Sequence, residues 1–514
     1  MKTKRPFRFG FTHVHSVIIF IAAALSVSAQ IVGPQPGHGK TFQTIVIRGA
    51  MIVDGNGKPA SGPYDIVIAD GKIKQIAGFD PLAAKAGRAR RPPKGDFEID
   101  ATGKYVLPGL INLHGHTQDE RAGKPMPVEY CTKLWLASGI TTVRDLGANA
   151  KTLEWATRSA ANELMAPNII PYGVFNDARS SDSVTAAIER VRRIKSDGYS
   201  GIKLFGVDRD IMRAMMEEAH KQGLRVAHHS AVEETNAWDD ADFGMTSIEH
   251  WYGIPEAAMT KRRQSYPSDY NYNDEVDRFR YAGRIWRETD PALLDSVLKR
   301  MIEKGVAWDP TLSIYEASRD LQKAQTQPFF DEYLHPVLEE FFRPNPSNHG
   351  SYFLGWTSTD EVYWKENFRI WMKAVKRFEE LGGVVGTGED AGFIYRVYGF
   401  GLIRELELHQ EAGFDTLSVI RHATGNAAKI LGMEDTKGRI RIGFDADLIV
   451  VNGNPLEDLK VLYPTGTDGV NDGKVVRTGG VEWTLKGGIP FHGPTLSAEV
   501  RDIVSKAKAE GAKR

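Results

Sequence analysis

The central part of the chain repeats one pattern, in which a short apolar or β-branched run is followed by a longer amphipathic stretch. The short runs are typical of buried strands and the longer stretches of helices. Apolar Ile211, Met215 and Ala219 recur at helical spacing before Gly223, which predicts a helix over 211–222. Eight strands are predicted in the same way, at 110–113, 140–143, 169–172, 201–204, 225–228, 246–249, 306–308 and 384–386.

This alternation predicts an α/β fold, a (β/α)₈ TIM barrel over residues 106–437. The region is longer than the typical barrel of about 250 residues. The excess lies mainly at 251–293 and 313–367, which are rich in Tyr, Trp, Arg and Pro. Because insertions that follow barrel strands surround the face where active sites form, we expect both segments at that face.

Both ends of the chain have a different pattern, with short alternating runs and glycine-containing turns. Such runs occur at 44–48, 51–53, 65–68 and 72–76, and again at 438–442, 446–451 and 475–477. Short strands joined by Gly turns predict a small sheet. We therefore predict a composite β-sandwich domain built from residues 30–105 and 438–492. Residues 493–514 are predicted to form a C-terminal helical tail with a charged surface.

The first 29 residues resemble a secretory signal peptide. Four basic residues precede an apolar run at 17–25, and Val27, Ser28 and Ala29 form a small-residue cleavage site. The apolar run is shorter than the roughly 20 residues that cross a bilayer, although a retained anchor is the alternative. No second long apolar run follows. We expect cleavage after Ala29 and a secreted or periplasmic protein that has no membrane contact afterwards.

Composition narrows the classes of function. The 514 residues are 41% hydrophobic and 25% charged, which is ordinary for a globular protein. The 65 Lys and Arg residues are balanced by 66 Asp and Glu residues, so no positive field favours nucleic acid. The single cysteine, Cys131, excludes an internal disulfide and a cysteine-based metal cage. We expect the partner to be a small molecule. Whether the chain forms a homo-oligomer is left open by the sequence.

Candidate metal ligands follow several of the predicted strands. His114 and His116 are two residues apart, so in an extended segment both imidazoles point to one side. A single His-x-His is a weak signal, but further side chains that can bind a metal occur at the ends of later predicted strands. These are Lys203, the pair His228 and His229, His250, and Asp390. Five strands that supply such groups at one end predict a metal site there.

The motifs around these residues identify a known family. The chain resembles the metal-dependent amidohydrolase superfamily, closest to its imidazolonepropionase-like and prolidase-like secreted members. The resemblance covers nearly all of the mature chain. It is carried by residues 53–55, 70–76, 107–116 (Leu-Pro-Gly-Leu-Ile-Asn-Leu-His-Gly-His), 423–432 (Ala-Thr-Gly-Asn-Ala-Ala-Lys-Ile-Leu-Gly) and 438–448.

The resemblance implies a ligand set and a reaction. His114 and His116 would bind the more buried of two divalent ions, and His229 and His250 would hold the outer one. A carbamylated Lys203 would bridge the two ions. Asp390 would be both ligand and general base, with metal-activated hydroxide attacking an amide carbonyl. Mixed imidazole and carboxylate ligands favour Zn first, with Mn, Fe, Co or Ni as alternatives.

Two positions depart from the family pattern. His228 and His229 are adjacent where the family has one ligand, and strand alternation favours an inward His229 with His228 turned towards the helices. The eighth strand is followed by Gly-Glu389-Asp390-Ala where Gly-Thr-Asp-Ala is usual. Glu389 therefore competes for the role of base, although alternation favours Asp390.

The implied function is hydrolysis of a carbon–nitrogen bond in a small amide. A dipeptide of the prolidase type or an N-acyl amino acid is the leading substrate class. A cyclic amidohydrolase or a phosphotriesterase-like hydrolase is the alternative within the fold, because a fold does not determine the substrate. A catalytically silent binding protein is the alternative from another class.

A few other polar residues have two interpretations each. Arg144 and Asp145 end the second strand and either order the site or pair with each other. Three adjacent basic residues in the insertion after the sixth strand either bind a substrate carboxylate or are solvated loop charges. These are Lys261, Arg262 and Arg263.

Overall fold

The structure is a computed structural model that describes residues 35–88, 90–175, 183–230, 235–260, 270–271 and 274–511. The predicted signal peptide at 1–29 and the basic residues 261–263 lie outside the described residues. No helix in the described ranges is both long and apolar enough to cross a membrane.

The strands are numbered in chain order. They are β1 (Thr44–Ile52), β2 (Ser61–Ala69), β3 (Lys72–Gly78), β4 (Phe97–Asp100), β5 (Tyr105–Pro108), β6 (Leu110–Gly115), β7 (Glu120–Arg121), β8 (Lys124–Pro125), β9 (Ile140–Ala148), β10 (Asn168–Phe175), β11 (Gly201–Leu204), β12 (Arg225–His228), β13 (Ser247–Glu249), β14 (Ala307–Asp309), β15 (Leu448–Val451), β16 (Thr467–Asn471), β17 (Lys474–Thr478), β18 (Val481–Lys486) and β19 (Ile489–His492).

The α-helices are numbered separately. They are α1 (Pro81–Lys85), α2 (Val128–Ala137), α3 (Ala150–Ala160), α4 (Val184–Ser196), α5 (Arg209–Lys221), α6 (Ala237–Asp242), α7 (Ile254–Ala257), α8 (Glu275–Ala282), α9 (Pro291–Glu303), α10 (Leu312–Arg319), α11 (Leu321–Gln325), α12 (Phe330–Tyr333), α13 (Pro336–Phe341), α14 (Ser358–Glu380), α15 (Phe400–Glu411), α16 (Thr416–Arg421), α17 (Ala427–Leu431) and α18 (Gly493–Gly511). A π-helical turn, His422–Asn426, separates α16 from α17.

Seven parallel strands form the barrel wall in the order β6-β9-β10-β11-β12-β13-β14. Each overlaps a strand predicted from the sequence, and α5 overlaps the predicted helix but begins two residues earlier. The barrel strands are buried nearly throughout, because helices cover the outside and side chains fill the inside. The predicted barrel is confirmed.

The eighth strand position closes this wall. Trp308 N donates to Val384 O at 3.0 Å and Gly386 N to Trp308 O at 2.9 Å, while Leu113 N donates to Thr387 O at 2.9 Å. Residues 384–387 therefore join β14 to β6, although only the Trp308–Val385 pair forms a regular bridge. A Cβ on Gly386 would overlap the Leu113 side chain, so glycine permits this close approach.

Strands from both chain ends form one additional sheet outside the barrel, as predicted. Its strands belong to one mixed eight-stranded sheet in the order β19-β18-β15-β5-β1-β2-β3, with β4 paired to β1. The central strand β5 pairs in parallel with β1 and antiparallel with β15, so the N-terminal and C-terminal parts of the chain meet there. A hydrophobic core separate from that of the barrel includes Ile45, Ile66, Leu448 and Leu485.

Two predicted strands near the C-terminus differ from the structure. Residues 438–442 do not form a strand. Gly438 at the start of this segment and Gly443 directly after it adopt positive φ angles, which turn the chain out of an extended conformation. Residues 475–477 do form a strand, in β17, but β17 pairs with β16 in a separate hairpin.

The C-terminal helix α18 packs against α2 of the barrel. Leu496, Val500 and Val504 are buried on one face of α18, while the remaining face carries charged residues. This helix lies within the segment predicted as a helical tail, and its apolar face covers the side of the barrel.

Candidate metal centre

The predicted ligands all lie at the carboxyl-terminal ends of barrel strands. His114 is near the end of β6, Lys203 lies in β11, and His229 and His250 directly follow β12 and β13. Asp390 follows the closing segment at 384–387, and its backbone N donates to His114 O at 2.9 Å. Strands that run in parallel around a barrel bring these ends to one face, where active sites form.

Asp390 lies at the centre of three histidines. Its Oδ1 atom is 2.9 Å from His116 Nε2 and 3.6 Å from His114 Nε2, and its Oδ2 atom is 3.7 Å from His250 Nε2. One ligand atom each from His114, His250 and Asp390 lies within 4.8 Å of the others. This spacing suits a metal ion bound between them.

The other nitrogens of two histidines are held in place by neighbours. His114 Nδ1 is 3.0 Å from Glu249 Oε2, and His250 Nδ1 is 2.5 Å from Thr311 Oγ1. Both imidazoles therefore turn their Nε2 atoms towards Asp390. His250 and Asp390 also have positive φ angles of 60° and 48°, a conformation that is uncommon for non-glycine residues.

The charge states of these groups favour metal binding. Burial lowers the pKa of His114 to about 4 and the pKa values of His229 and His250 well below the ordinary value. Burial raises the pKa of the Asp390 carboxyl, but the adjacent histidines outweigh it and hold that pKa well below its usual range. Neutral imidazoles and an ionised carboxylate are the protonation states that bind metal ions.

Lys203 gives the strongest sign that something is bound at this site. Its side chain is buried, and its Nζ atom has no hydrogen-bond partner among the described residues. Burial lowers the pKa of this amine from 10.5 to about 8. A buried nitrogen without a partner is costly, and a lysine carbamate bound to metal would remove that cost. The donor set and this unpaired amine therefore fit divalent ions.

The histidine pair after β12 is divided between two environments. His228 is fully buried and its Nδ1 atom lies 2.6 Å from Asp240 Oδ1, between the barrel and α6. The His229 ring turns the other way, with its centroid 4.8 Å from that of His250 and 5.4 Å from that of Phe205. The structure thus brings His229, and not His228, to the site.

The two acidic residues after the closing segment are divided in the same way. Glu389 is fully buried and accepts hydrogen bonds from Asn112 Nδ2 at 3.0 Å, from Trp135 Nε1, and from the backbone N atoms of Gly399 and Leu402. Burial raises the pKa of its carboxyl to about 8. With its oxygens used in the core, Glu389 does not face the histidines, whereas Asp390 does.

A buried charged network beneath the histidines was not predicted. Arg144 Nη2 lies 2.7 Å from Glu249 Oε1 and 3.4 Å from Asp309 Oδ2. Arg144 therefore does not pair with Asp145, whose carboxylate accepts from the backbone N atoms of Thr117 and Gly147. Of the two interpretations given to Arg144, ordering of the site agrees with these contacts.

Aromatic residues from the long insertions surround the cluster. The Tyr315 and Tyr252 rings have centroids 5.6 and 6.4 Å from that of His250, and Phe279 lies 6.0 Å from Tyr315. On the opposite side the Phe393 centroid lies 5.2 Å from that of His116. The insertions thus lie at the active-site face, as predicted, and supply apolar walls around the polar centre.

Comparison with known proteins agrees with this geometry. The family model for the amidohydrolase family matches residues 105–279 and 372–476, more than half of the chain. The barrel fold and this match together define the class of protein. The chain belongs to the amidohydrolase family, which confirms the resemblance seen in its motifs.

Individual relatives share this fold at low sequence identity. A putative prolidase from Bifidobacterium longum is 22% identical with a TM-score of 0.62, covering 91% of this chain and 100% of that one. A Xaa-Pro dipeptidase with methionine in its active site is 19% identical with a TM-score of 0.59, covering 87% of this chain and 100% of that one.

Among curated proteins, the chain is similar to dihydroorotases. That of Trichlorobacter lovleyi is 26% identical over 227 residues, which cover 42% of this chain and 49% of the dihydroorotase. The chain therefore spans about half the length of the curated relatives that it matches.

Proposed function

We propose that this protein is a metal-dependent amidohydrolase that cleaves the amide bond of a small molecule, either a dipeptide of the prolidase type or an N-acyl amino acid. The observation that carries the proposal is the Asp390 carboxylate at the centre of His114, His116 and His250 beside the buried, unpaired Lys203 amine. Solved relatives described as prolidases and a Xaa-Pro dipeptidase favour the dipeptide class.

The residues of the cluster would hold two divalent ions. His114, His116, His229, His250 and Asp390 supply imidazole and carboxylate ligands, and a carbamylated Lys203 would supply the bridging anion. Zn suits this mixed set first, with Mn, Fe, Co or Ni as alternatives. When bound, the ions would lower the pKa of a water molecule and polarise the scissile carbonyl.

Asp390 is the general base of the proposed reaction. Its depressed pKa keeps it ionised at neutral pH, so it is ready to accept a proton from the attacking water. Oδ1 already lies 2.9 Å from His116 Nε2, which leaves Oδ2 to hold that proton and to deliver it to the leaving nitrogen. The buried rings of Tyr252 and Tyr315 lie beside His250 and would limit the access of bulk water to this transfer.

The substrate class is tested with a panel of compounds. The protein is stripped of metal, reconstituted with Zn²⁺, and assayed against Xaa-Pro and other dipeptides, N-acyl amino acids, dihydroorotate and other cyclic amides, and a phosphotriester. We expect turnover of a linear amide that Asp390→Asn abolishes. Turnover confined to the phosphotriester would contradict the proposal. Zinc-loaded protein that binds compounds of the panel but cleaves none of them would also contradict it.

A second candidate, a cyclic amidohydrolase, is favoured by the similarity to dihydroorotases. That similarity extends over about half of those enzymes, whereas the structural similarity to the prolidases covers nearly the whole chain. In the panel, preferential turnover of dihydroorotate or another cyclic amide would replace the linear amide as the substrate.

We also propose that the protein is exported. The basic, apolar and small-residue segments of residues 1–29 support this. Expression of the full chain with N-terminal sequencing of the product tests it. A mature N-terminus at Gln30 in the exported fraction is expected, and an intact N-terminus retained inside the cell would contradict it.

A further inference from the structure

The Arg144 side chain crosses the interior of the barrel from β9 to three other strands. Its Nε atom donates to Leu113 O of β6 at 2.5 Å, and its Nη1 atom donates to Ser247 Oγ of β13 at 2.9 Å. Its Nη2 atom contacts Glu249 Oε1 of β13 at 2.7 Å and Asp309 Oδ2 of β14 at 3.4 Å. All three guanidinium nitrogens are thus used, and the side chain is fully buried.

Glu249 connects this guanidinium to a predicted metal ligand. Its Oε1 atom accepts from Arg144 Nη2 and from Ser247 Oγ, the latter at 2.6 Å, while Oε2 lies 3.0 Å from His114 Nδ1. A carboxylate held in this way accepts the Nδ1 proton of the imidazole. The His114 Nε2 atom, which lies 3.6 Å from Asp390 Oδ1, is then the unprotonated nitrogen.

The same guanidinium accounts for a second cluster of acidic groups. Ligand atoms of His114, Glu249 and Asp309 lie within 4.8 Å of each other, as a cation site requires. The Arg144 guanidinium already lies between Glu249 and Asp309 and supplies the positive charge there. A buried arginine in this place thus takes the role of a cation for the two carboxyl groups.

We infer that Arg144 and Glu249 are positioning residues that fix His114 with its Nε2 atom directed to the metal. Arg144 holds the Glu249 carboxylate in one orientation, and Glu249 holds the His114 ring and its tautomer. Carboxylate–histidine–metal arrangements of this kind raise the basicity of the ligating nitrogen. The inference rests on the proposed role of His114 as a metal ligand.

The experiment measures Zn²⁺ affinity by competition with a chelator, without any substrate. Glu249→Gln and Arg144→Met are each expected to raise the Kd for Zn²⁺ by about 10- to 100-fold, the usual effect of losing a partner of a ligating histidine. Arg144→Lys keeps the charge but not the fork of donors, and should fall between wild type and Arg144→Met.

The matched control is Glu379→Gln, which alters a carboxylate–histidine pair elsewhere in the chain. Glu379 Oε1 lies 2.8 Å from His422 Nε2, and neither residue belongs to the proposed metal centre. The Zn²⁺ affinity of this variant should stay within about threefold of wild type. An equal loss in the control and in Glu249→Gln would show a general effect of destabilisation and would overturn the inference.

Thermal unfolding of the metal-free protein separates positioning from structural support. The double variant Arg144→Met with Glu249→Gln removes one charge of each sign, so the net charge of the cluster is unchanged, whereas each single variant alters it by one unit. If it is folded and still has the weakened Kd, the positioning role is supported. If Arg144→Met and Glu249→Gln lower only the Tm and keep the wild-type Kd, the inference is wrong.

These outcomes differ from a failure of the proposed function. If the wild-type protein binds no Zn²⁺ and hydrolyses no amide, both proposals fail together. If wild type binds Zn²⁺ tightly and hydrolyses an amide while the variants bind equally well, the proposed function stands and the positioning roles are refuted.

Discussion

Replacement of Lys203 by methionine should have opposite effects on the metal-free and the metal-loaded protein. The amine is buried and has no hydrogen-bond partner in the described part of the chain, and burial lowers its pKa from 10.5 to about 8. At about 1.4 kcal/mol for each tenfold change in a binding constant, this decrease corresponds to a cost of ~3 kcal/mol for the protonated lysine. Methionine of similar length removes that cost.

The sign of the pH dependence follows from this pKa. Because the folded protein binds the proton more weakly than the unfolded chain, stability is lost as the pH falls from 10.5 towards 8. The full cost is present at pH 7, and only about 1 to 1.5 kcal/mol remains at pH 9.5. Metal-free Lys203→Met should therefore exceed wild type in Tm by about 3 °C at pH 7 and by less at pH 9.5.

The same lowered pKa would favour the proposed carbamylation of Lys203. A lowered pKa increases the neutral fraction of the amine at pH 7, and only the neutral amine adds carbon dioxide. Without the carbamate, two cations would face each other without a bridging anion. Lys203→Met should therefore lose Zn²⁺ and turnover together, and in Lys203→Ala a short carboxylic acid should restore part of both.

Calorimetry at two pH values and elemental analysis measure these effects, with Lys486→Met as the control. Lys486 is also buried with a pKa lowered to about 8, but its Nζ atom donates to Ser159 O at 2.6 Å. Its replacement should leave the Zn²⁺ content unchanged, because Lys486 lies outside the proposed metal centre. Wild-type Zn²⁺ content and turnover in Lys203→Met, or a lower Tm of the metal-free variant at pH 7, would refute the reasoning.

Three further predictions concern neighbouring residues. His229→Asn should lose Zn²⁺ as measured by elemental analysis, whereas His228→Asn should keep its Zn²⁺. The free energy of unfolding of His228→Asn in urea should fall by about 1–3 kcal/mol, because the buried Asp240 carboxylate loses its partner. Asp390→Asn should lower kcat by at least 100-fold with an unchanged free energy of unfolding. Glu389→Gln turns an amide towards four N–H donors, so its free energy of unfolding should fall by about 1–3 kcal/mol. The reverse pattern would exchange the roles of the two residues. Gly386→Ala should lose about 1–3 kcal/mol by overpacking the first barrel strand, and an unchanged unfolding midpoint would contradict that packing.

The sequence predicted those features that depend on local periodicity. Apolar runs separated by helical stretches indicated the barrel, and the two-residue period of a strand indicated that His229 and His228 face opposite ways. The same alternation suggested a strand at 438–442, where the pattern is present but the chain turns at Gly438 and Gly443. A local pattern does not specify whether a neighbouring strand is available for pairing.

The buried network under the histidines could not be predicted in the same way. Arg144, Glu249 and Asp309 are separated by long stretches of chain and meet only because their strands close into a barrel. The signals that existed were an arginine at the end of a buried strand and an acidic residue directly before His250. Each is common at solvated positions, so its meaning depends on the tertiary structure.

The central position of β5 in the composite sheet has a consequence for the order in which the protein is made. One edge of β5 pairs with β1, but the other pairs with β15, whose residues 448–451 are synthesised several hundred residues later. Until then that edge is an open template that can pair with another chain and lead to aggregation. The domain therefore cannot complete its folding while the ribosome is still extending the barrel. The sheet can close only after the C-terminal strands β15, β18 and β19 have also been synthesised.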